Sequence, residues 1–169
     1  VGIPDHILNK PGRLSDSEFN IIKSHTTIGG EILKDIETIA EVDAGAKYHH
    51  ERYDGKGYPC GFAGEHIPEV ARIICVADSY DAMRSKRIYR DSLPLDVIRG
   101  ELVKGRGTQF DPGFVDAFIQ LLDEGKLEID FSEPEREKTV SGEGYVLFSQ
   151  IMKSIEEEAK KAEARDYLT

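Results

Sequence analysis

The spacing of the apolar residues most constrains how this chain can fold, because in one segment after another it follows the helical period of three to four. The first pattern follows a capping box at residues 15–18 (SDSE) and predicts a helix over about 16–34. Similar patterns predict further helices over 36–49, 70–83, 94–104 and 112–124. Asp111 should cap the last of these helices and Gly125 should stop it. The expected fold is all-α, a bundle of helices.

Changes in composition divide the chain into three parts. Residues 1–130 hold most of the helical patterns and are expected to form one helical domain. Residues 131–144 are polar and densely charged, as in a linker, whereas 145–169 again carry apolar residues at helical spacing. This last segment is predicted to be an amphipathic linker helix for signalling or dimerisation. Because the sequence opens on apolar residues with no helix cap (VGIP), we expect the domain to lack its first helices.

Charge and cysteine content exclude some classes of protein. The formal net charge is -10, which argues against binding of a nucleic-acid polymer, since such binding depends on clustered lysine and arginine. No apolar run approaches the roughly 18 residues that cross a bilayer, so no membrane contact is expected. The two cysteines, Cys60 and Cys75, show no C-x-x-C spacing and suit a reducing compartment. A cytoplasmic location is therefore predicted.

His25 is the first candidate for chemistry. It lies with Ile21, Ile28 and Ile32 on one face of the first predicted helix. An imidazole that faces a core needs a partner for each ring nitrogen. Taken alone, this pattern fits a hydrogen-bonded core histidine better than a metal ligand.

Two further features carry ligand atoms. His49 and His50 end the second helical pattern, and neighbours on a helix point about 100° apart, so one helix end can offer imidazoles to two metal centres. A surface pair favoured by the helix dipole is the alternative. Asp78 lies in the apolar run 70–83, where a buried carboxylate needs a cation, a metal or strong donors. An ion pair with Arg72 is the competing explanation.

Taken together, one histidine, a histidine pair and an aspartate on three successive helices form a ligand set for divalent metals. A pair of such ions can clamp a phosphodiester, so hydrolysis of phosphoesters is the chemistry that we expect. Arg87 and Arg90 stand in a basic cluster just after the Asp78 helix, and guanidinium groups match phosphate oxygens. A solvated helix end is the alternative for this cluster.

Residues 49–59 (HHERYDGKGYP) resemble the HD-GYP signature H-H-E-x-x-D-G-x-G-Y-P at every specified position. The segments 24–26 (SHT), 76–82 (VADSYDA) and 87–90 (RIYR) also match motifs of that family in order and approximate spacing. The resemblance covers about 1–127. It implies a helical bundle of the HD superfamily that holds two or three metal ions and hydrolyses cyclic di-GMP to a linear dinucleotide or to GMP.

The resemblance also implies roles for individual residues. His25, His49, His50 and Asp78 would bind metal. Arg87 and Arg90 would hold the phosphates, and Gly57 and Tyr58 would border the substrate pocket. The metals expected are iron or manganese, with zinc or nickel as alternatives.

One departure from the family bears on activity. The family's H-D-x-G-K motif is absent, so this chain is expected to bind metal weakly and to be catalytically incomplete. The alternative function is a regulatory interaction module that binds cyclase domains without hydrolysis. Residues 164–169 (ARDYLT) resemble the entry to a GGDEF cyclase domain, which makes GGDEF domains candidate partners. Apolar surface left by missing helices predicts a homodimer.

Overall fold

The all-α prediction is confirmed. A computed structural model describes residues 2–36, 38–85 and 92–127. These residues form six α-helices and one 3-10 turn, and no β-strand occurs among them. The helices are α1 (Asp5–Leu8), α2 (Asp16–Leu33), α3 (Val42–Tyr48), α4 (Glu69–Arg84), α5 (Leu95–Gly105) and α6 (Pro112–Asp123), and the 3-10 turn is Gly64–His66.

Side-chain caps set the starts of α2 and α6. The Ser15 hydroxyl accepts a hydrogen bond from the Glu18 amide, and the Glu18 carboxylate accepts one from the Ser15 amide at 2.7 Å. The Asp111 carboxylate accepts from the Gly113 amide at 2.8 Å and so begins α6. Both predicted caps are confirmed.

One helix boundary and one short helix differ from the sequence expectation. The second helical pattern was expected to run from residue 36, but α3 begins only at Val42, because Glu41 has a left-handed φ of 55° that cannot continue a helix. The short helix α1 was not predicted, since its four residues give too little periodicity. The predicted linker 131–144 and helix 145–169 lie outside the described residues.

The chain divides into two compact units. The first is drawn from Val1–Cys75 and Gly107–Gln109, and the second from Val76–Arg106 and Phe110–Thr169. In the first unit, α2 packs against α3. A Cβ on Gly30 would lie 3.0 Å from Lys47 Cβ, and one on Gly45 would lie 2.7 Å from Ile74 Cδ1. Glycine at position 30 therefore lets α2 approach α3 closely, and glycine at position 45 leaves room for the Ile74 side chain of α4.

The second unit contains α5 and α6, which contact each other. The Tyr80 ring lies 5.1 Å from that of Phe118, and both residues are buried. The salt bridge between Arg99 and Asp123 joins α5 to α6 at 2.8 Å. Six of the twelve residues of α6 are buried, as its apolar composition predicts.

Exposure corrects two sequence interpretations. The face of α2 that carries His25 was expected to face a core, but Ile21 is 40% exposed and Ile32 is 57% exposed. Asp78 was expected to be buried, yet it is exposed on α4 while Val76 and Tyr80 are buried. The argument that Asp78 needs a metal because it is buried was therefore wrong. No helix in the described part of the chain is long and apolar enough to cross a membrane.

Candidate metal centre

His25, His49 and His50 come together in the first unit. His25 projects from α2, whereas His49 is the C-cap of α3 and His50 follows it. Each histidine offers one ring nitrogen, and the three atoms all lie within 4.8 Å of one another. The ring centroids of His25 and His50 are 5.1 Å apart, and those of His49 and His50 are 4.1 Å apart. This grouping of three residues was expected from the sequence.

Backbone carbonyls orient two of the rings. His25 Nδ1 lies 2.6 Å from the Ile22 carbonyl oxygen, and His49 Nδ1 lies 2.8 Å from the Ala46 carbonyl oxygen. Because a carbonyl only accepts, each Nδ1 must carry the proton and donate it. In the neutral ring, Nε2 then carries a lone pair, which is the arrangement of a metal-binding histidine.

The two Nε2 atoms are the strongest sign of a cation site. They lie 3.5 Å apart. When both rings are neutral with the proton on Nδ1, neither Nε2 has a proton to donate to the other, so the two lone pairs repel. A divalent ion bound by both atoms would remove this repulsion, and the ligand set therefore fits a metal such as iron, manganese, zinc or nickel.

His50 is held neutral by its surroundings. Burial, and after it the neighbouring His49 and His25, lower its pKa to about 4. Its ring also lies 4.9 Å from the Tyr58 ring at an interplanar angle of 35°. The imidazole is therefore uncharged at neutral pH, as metal ligation requires.

Glu51 ties the glycine-rich loop to the end of α3. It is 1% exposed, and its Oε1 accepts hydrogen bonds from the Cys60 amide at 2.6 Å and the Gly61 amide at 3.1 Å. Its Oε2 is buried and has no hydrogen-bond partner among the described residues. The Tyr58 amide also donates to the His50 carbonyl at 3.2 Å, so the loop returns to the histidines.

Gly57 has a structural reason to be glycine. A Cβ at this position would overlap the Arg52 nitrogen and would lie 2.5 Å from Glu51 Cα. The loop therefore packs directly on the backbone that follows the histidine pair. This close packing is separate from the role at the substrate pocket that the family resemblance implies for Gly57.

An ion pair braces the start of the same loop. Arg52 donates to Asp54 through two nitrogens, at 3.0 Å and 2.9 Å. This bonding lowers the pKa of Asp54 to about 2. The amides of Tyr53 and Asp54 donate to the carbonyls of Gln109 and Thr108.

The remaining predicted site residues are not part of this cluster as described. Asp78 belongs to the second unit, whereas the three histidines belong to the first. Arg87 and Arg90 lie outside the described residues. Phe19 and Lys23 lie beside Tyr58 and were not singled out in the sequence analysis, although their spacing of four on α2 places them on one helical face.

The chain is similar to known proteins over most of its described length. The family model described as HD domain matches residues 1–114. The cyclic di-GMP phosphodiesterase of Thermotoga maritima is 46% identical over 123 residues, covering 72% of this chain and 33% of that protein. The cyclic di-GMP phosphodiesterase response regulator RpfG of Xanthomonas campestris is 44% identical over 123 residues, covering 71% of this chain and 32% of that protein.

A third relative has a different substrate in its name. The 3'3'-cGAMP-specific phosphodiesterase 2 of Vibrio cholerae is 39% identical over 129 residues, covering 73% of this chain and 24% of that protein. The chain thus spans between a quarter and a third of the length of these relatives.

Proposed function

Since this chain belongs to the HD domain family, with the HD-GYP signature at residues 49–59, we propose that it is the hydrolase part of a metal-dependent cyclic di-GMP phosphodiesterase. The observation that carries the proposal is the cluster of His25, His49 and His50, whose ligand atoms lie within 4.8 Å of one another. Relatives named as cyclic di-GMP phosphodiesterases support the substrate.

In this proposal the three histidines bind the metal, and backbone carbonyls of α2 and α3 orient the rings of His25 and His49. The carbonyls of Ile22 and Ala46 keep the protons of His25 and His49 on Nδ1 and so leave Nε2 for the ion. A bound divalent ion would supply charge stabilisation to the phosphoryl oxygens and activate the attacking water. The complete site would hold two or three ions, with iron or manganese preferred.

The family motifs extend the proposed site to further residues. We propose Asp78 as a metal ligand and Arg87 and Arg90 as phosphate-binding groups, because their segments match the family pattern. Gly57 and Tyr58 are proposed to border the substrate pocket. The contact between the Tyr58 and His50 rings supports this placement of Tyr58.

The number of ligands bears on the activity of this chain. Three imidazoles and the proposed Asp78 carboxylate cannot fill the coordination shells of two ions, which each take four to six donors. The H-D-x-G-K motif, which supplies further donors in the family, does not occur in the sequence. We therefore propose that the 169-residue chain binds metal weakly and hydrolyses its substrate slowly or not at all.

The test is metal content by elemental analysis, with hydrolysis of cyclic di-GMP in manganese or ferrous iron. It compares this chain with one that carries an H-D-x-G-K segment ahead of residue 1. We expect stoichiometric metal and hydrolysis only in the extended chain. In the extended chain, the substitution H49N should abolish metal binding and hydrolysis. H66N, which removes an exposed histidine from the 3-10 turn, should change neither. Absence of hydrolysis in both chains would favour the regulatory interaction module.

A substrate panel tests the choice of cyclic dinucleotide. It includes cyclic di-GMP and 3'3'-cGAMP, because relatives are named for each. We expect cyclic di-GMP to be hydrolysed with the larger kcat/KM. The reverse order would contradict the proposed substrate and keep the proposed reaction.

Partners and location complete the proposal. We place the chain in the cytoplasm, as a homodimer that can contact GGDEF domains. The exposed Ile21 and Ile32 on α2 support a further contact surface. Light scattering that shows only a monomer would contradict the dimer.

A further inference from the structure

Lys23 extends its ammonium group over two aromatic rings next to the histidine cluster. Lys23 Nζ lies 5.3 Å from the centroid of the Phe19 ring and 5.9 Å from that of the Tyr58 ring. The Tyr58 ring in turn lies against His50, at 4.9 Å. A cation and two aromatic rings thus lie next to the candidate metal centre, on the side of His50.

The charge of Lys23 is not neutralised by a carboxylate in the described part of the chain. Two neighbouring lysines in the sequence do form ion pairs: Lys10 lies 2.7 Å from Glu18, and Lys34 lies 2.8 Å from Glu31. Among the residues that the structure describes, the ammonium group of Lys23 lies over the two rings, and a ring quadrupole attracts a cation without cancelling its charge. In a chain of net charge -10, such a cation beside a metal centre suits an anionic substrate.

The rings offer surface for a base. Phe19 is 45% exposed, which is a large exposed area for an aromatic side chain. It meets Tyr58 edge to face, with centroids 6.1 Å apart and an interplanar angle of 81°. Aromatic side chains exposed beside a cation are the usual platform for a nucleobase next to its phosphate.

From this arrangement we propose that Phe19 and Lys23, together with Tyr58, form a subsite for one nucleotide of the cyclic dinucleotide. Phe19 stacks with the purine base, and the ammonium group of Lys23 pairs with a phosphodiester oxygen. The inference rests on the proposed function and adds α2 residues outside the family signature. It makes substrate binding partly independent of the metal.

Equilibrium binding without metal tests the subsite. Calorimetry measures the Kd of the 169-residue chain for cyclic di-GMP in EDTA, where turnover cannot occur. We expect K23M to raise Kd about tenfold, through loss of a charge-assisted contact. The substitution F19L should raise Kd about fivefold, through loss of base stacking. K23R keeps the charge and should bind nearly as the parent does.

A second aromatic and lysine cluster in the same unit provides the matched control. Lys47 Nζ lies 5.4 Å from the Tyr48 ring centroid, and the Tyr48 and Phe62 rings are 5.4 Å apart. The substitutions K47M and F62L remove the same chemical groups from this cluster and should leave Kd unchanged. Circular dichroism checks that all variants keep their helices.

The outcomes separate the subsite from the proposed reaction. Equal Kd values for the parent chain, K23M and F19L would overturn the subsite, as would absence of metal-free binding by a chain whose extended form hydrolyses cyclic di-GMP. Binding that weakens in K23M and F19L, in a chain whose extended form does not hydrolyse, would support the subsite and contradict the phosphodiesterase.

Discussion

His25 and His49 are held in the same way, each by the carbonyl three residues earlier in its own helix. The sequence predicted both residues as metal ligands, from their combination with His50 and from the family motifs. It could not show which ring nitrogen keeps the proton, because that depends on side-chain rotamers. The exposure of Asp78 was also missed, since an apolar run does not reveal which side of a helix faces solvent.

The low pKa of His50 predicts a pH dependence of stability. The pKa is about 4 in the folded chain and 6.5 ordinarily, so the unfolded chain binds more protons between these values. The free energy of unfolding should therefore fall as pH drops from 6.5 to 4. Urea denaturation at several pH values measures this slope. H50Q should flatten it, whereas H66N should retain it; an unchanged slope in H50Q would contradict the assignment.

We expect Glu51 to stabilise the fold through Oε1, which accepts two backbone hydrogen bonds. E51A leaves the amides of Cys60 and Gly61 without their acceptor and should cost about 2–4 kcal/mol of unfolding free energy. E51Q keeps a carbonyl oxygen for both amides and should cost less. E65A, at an exposed position of the 3-10 turn, is the control. Equal losses in E51A and E51Q would argue against this explanation.

At the scale of elements, caps and periodicity predicted α2 and α6 closely, because both helices carry their own start signals. The late start of α3 was not predictable from apolar spacing, since residues 36 and 39 continue the pattern while the backbone turns at Glu41. The path of the loop after α3 was equally hidden, because Glu51 fixes it through residues nine and ten positions away.

Gly57 gives a prediction for that loop. G57A introduces a Cβ that overlaps the backbone at Glu51 and Arg52, so the loop must move. We expect a loss of about 2–4 kcal/mol in stability and faster protease cleavage within 52–61. G100A is the control, because a Cβ there meets no atom within 4 Å and a helical alanine should stabilise α5 by about 1 kcal/mol. Equal stability of G57A and the parent chain would contradict the close packing.

At the scale of the whole molecule, we expect bound metal to raise the free energy of unfolding. A ligand that binds only the folded state at 100 times its Kd adds about 2.7 kcal/mol. Manganese should therefore raise the Tm of this chain above its value in EDTA, and the rise should grow with metal concentration. H25N and H49N should abolish the rise, whereas H66N should keep it. An equal rise in all variants would place the metal elsewhere.

Gly30, where α2 packs against α3, has a consequence for the proposed metal centre. The histidines supply the donor atoms, but Gly30 sets how closely their two helices lie, because a methyl group there would press on Lys47 Cβ at 3.0 Å. The distance between the histidine nitrogens on the two helices thus depends on Gly30, although Gly30 itself provides no ligand atom. In the proposed metal centre, G30A would therefore change the distance between His25 on α2 and His49 at the end of α3 without replacing any donor atom.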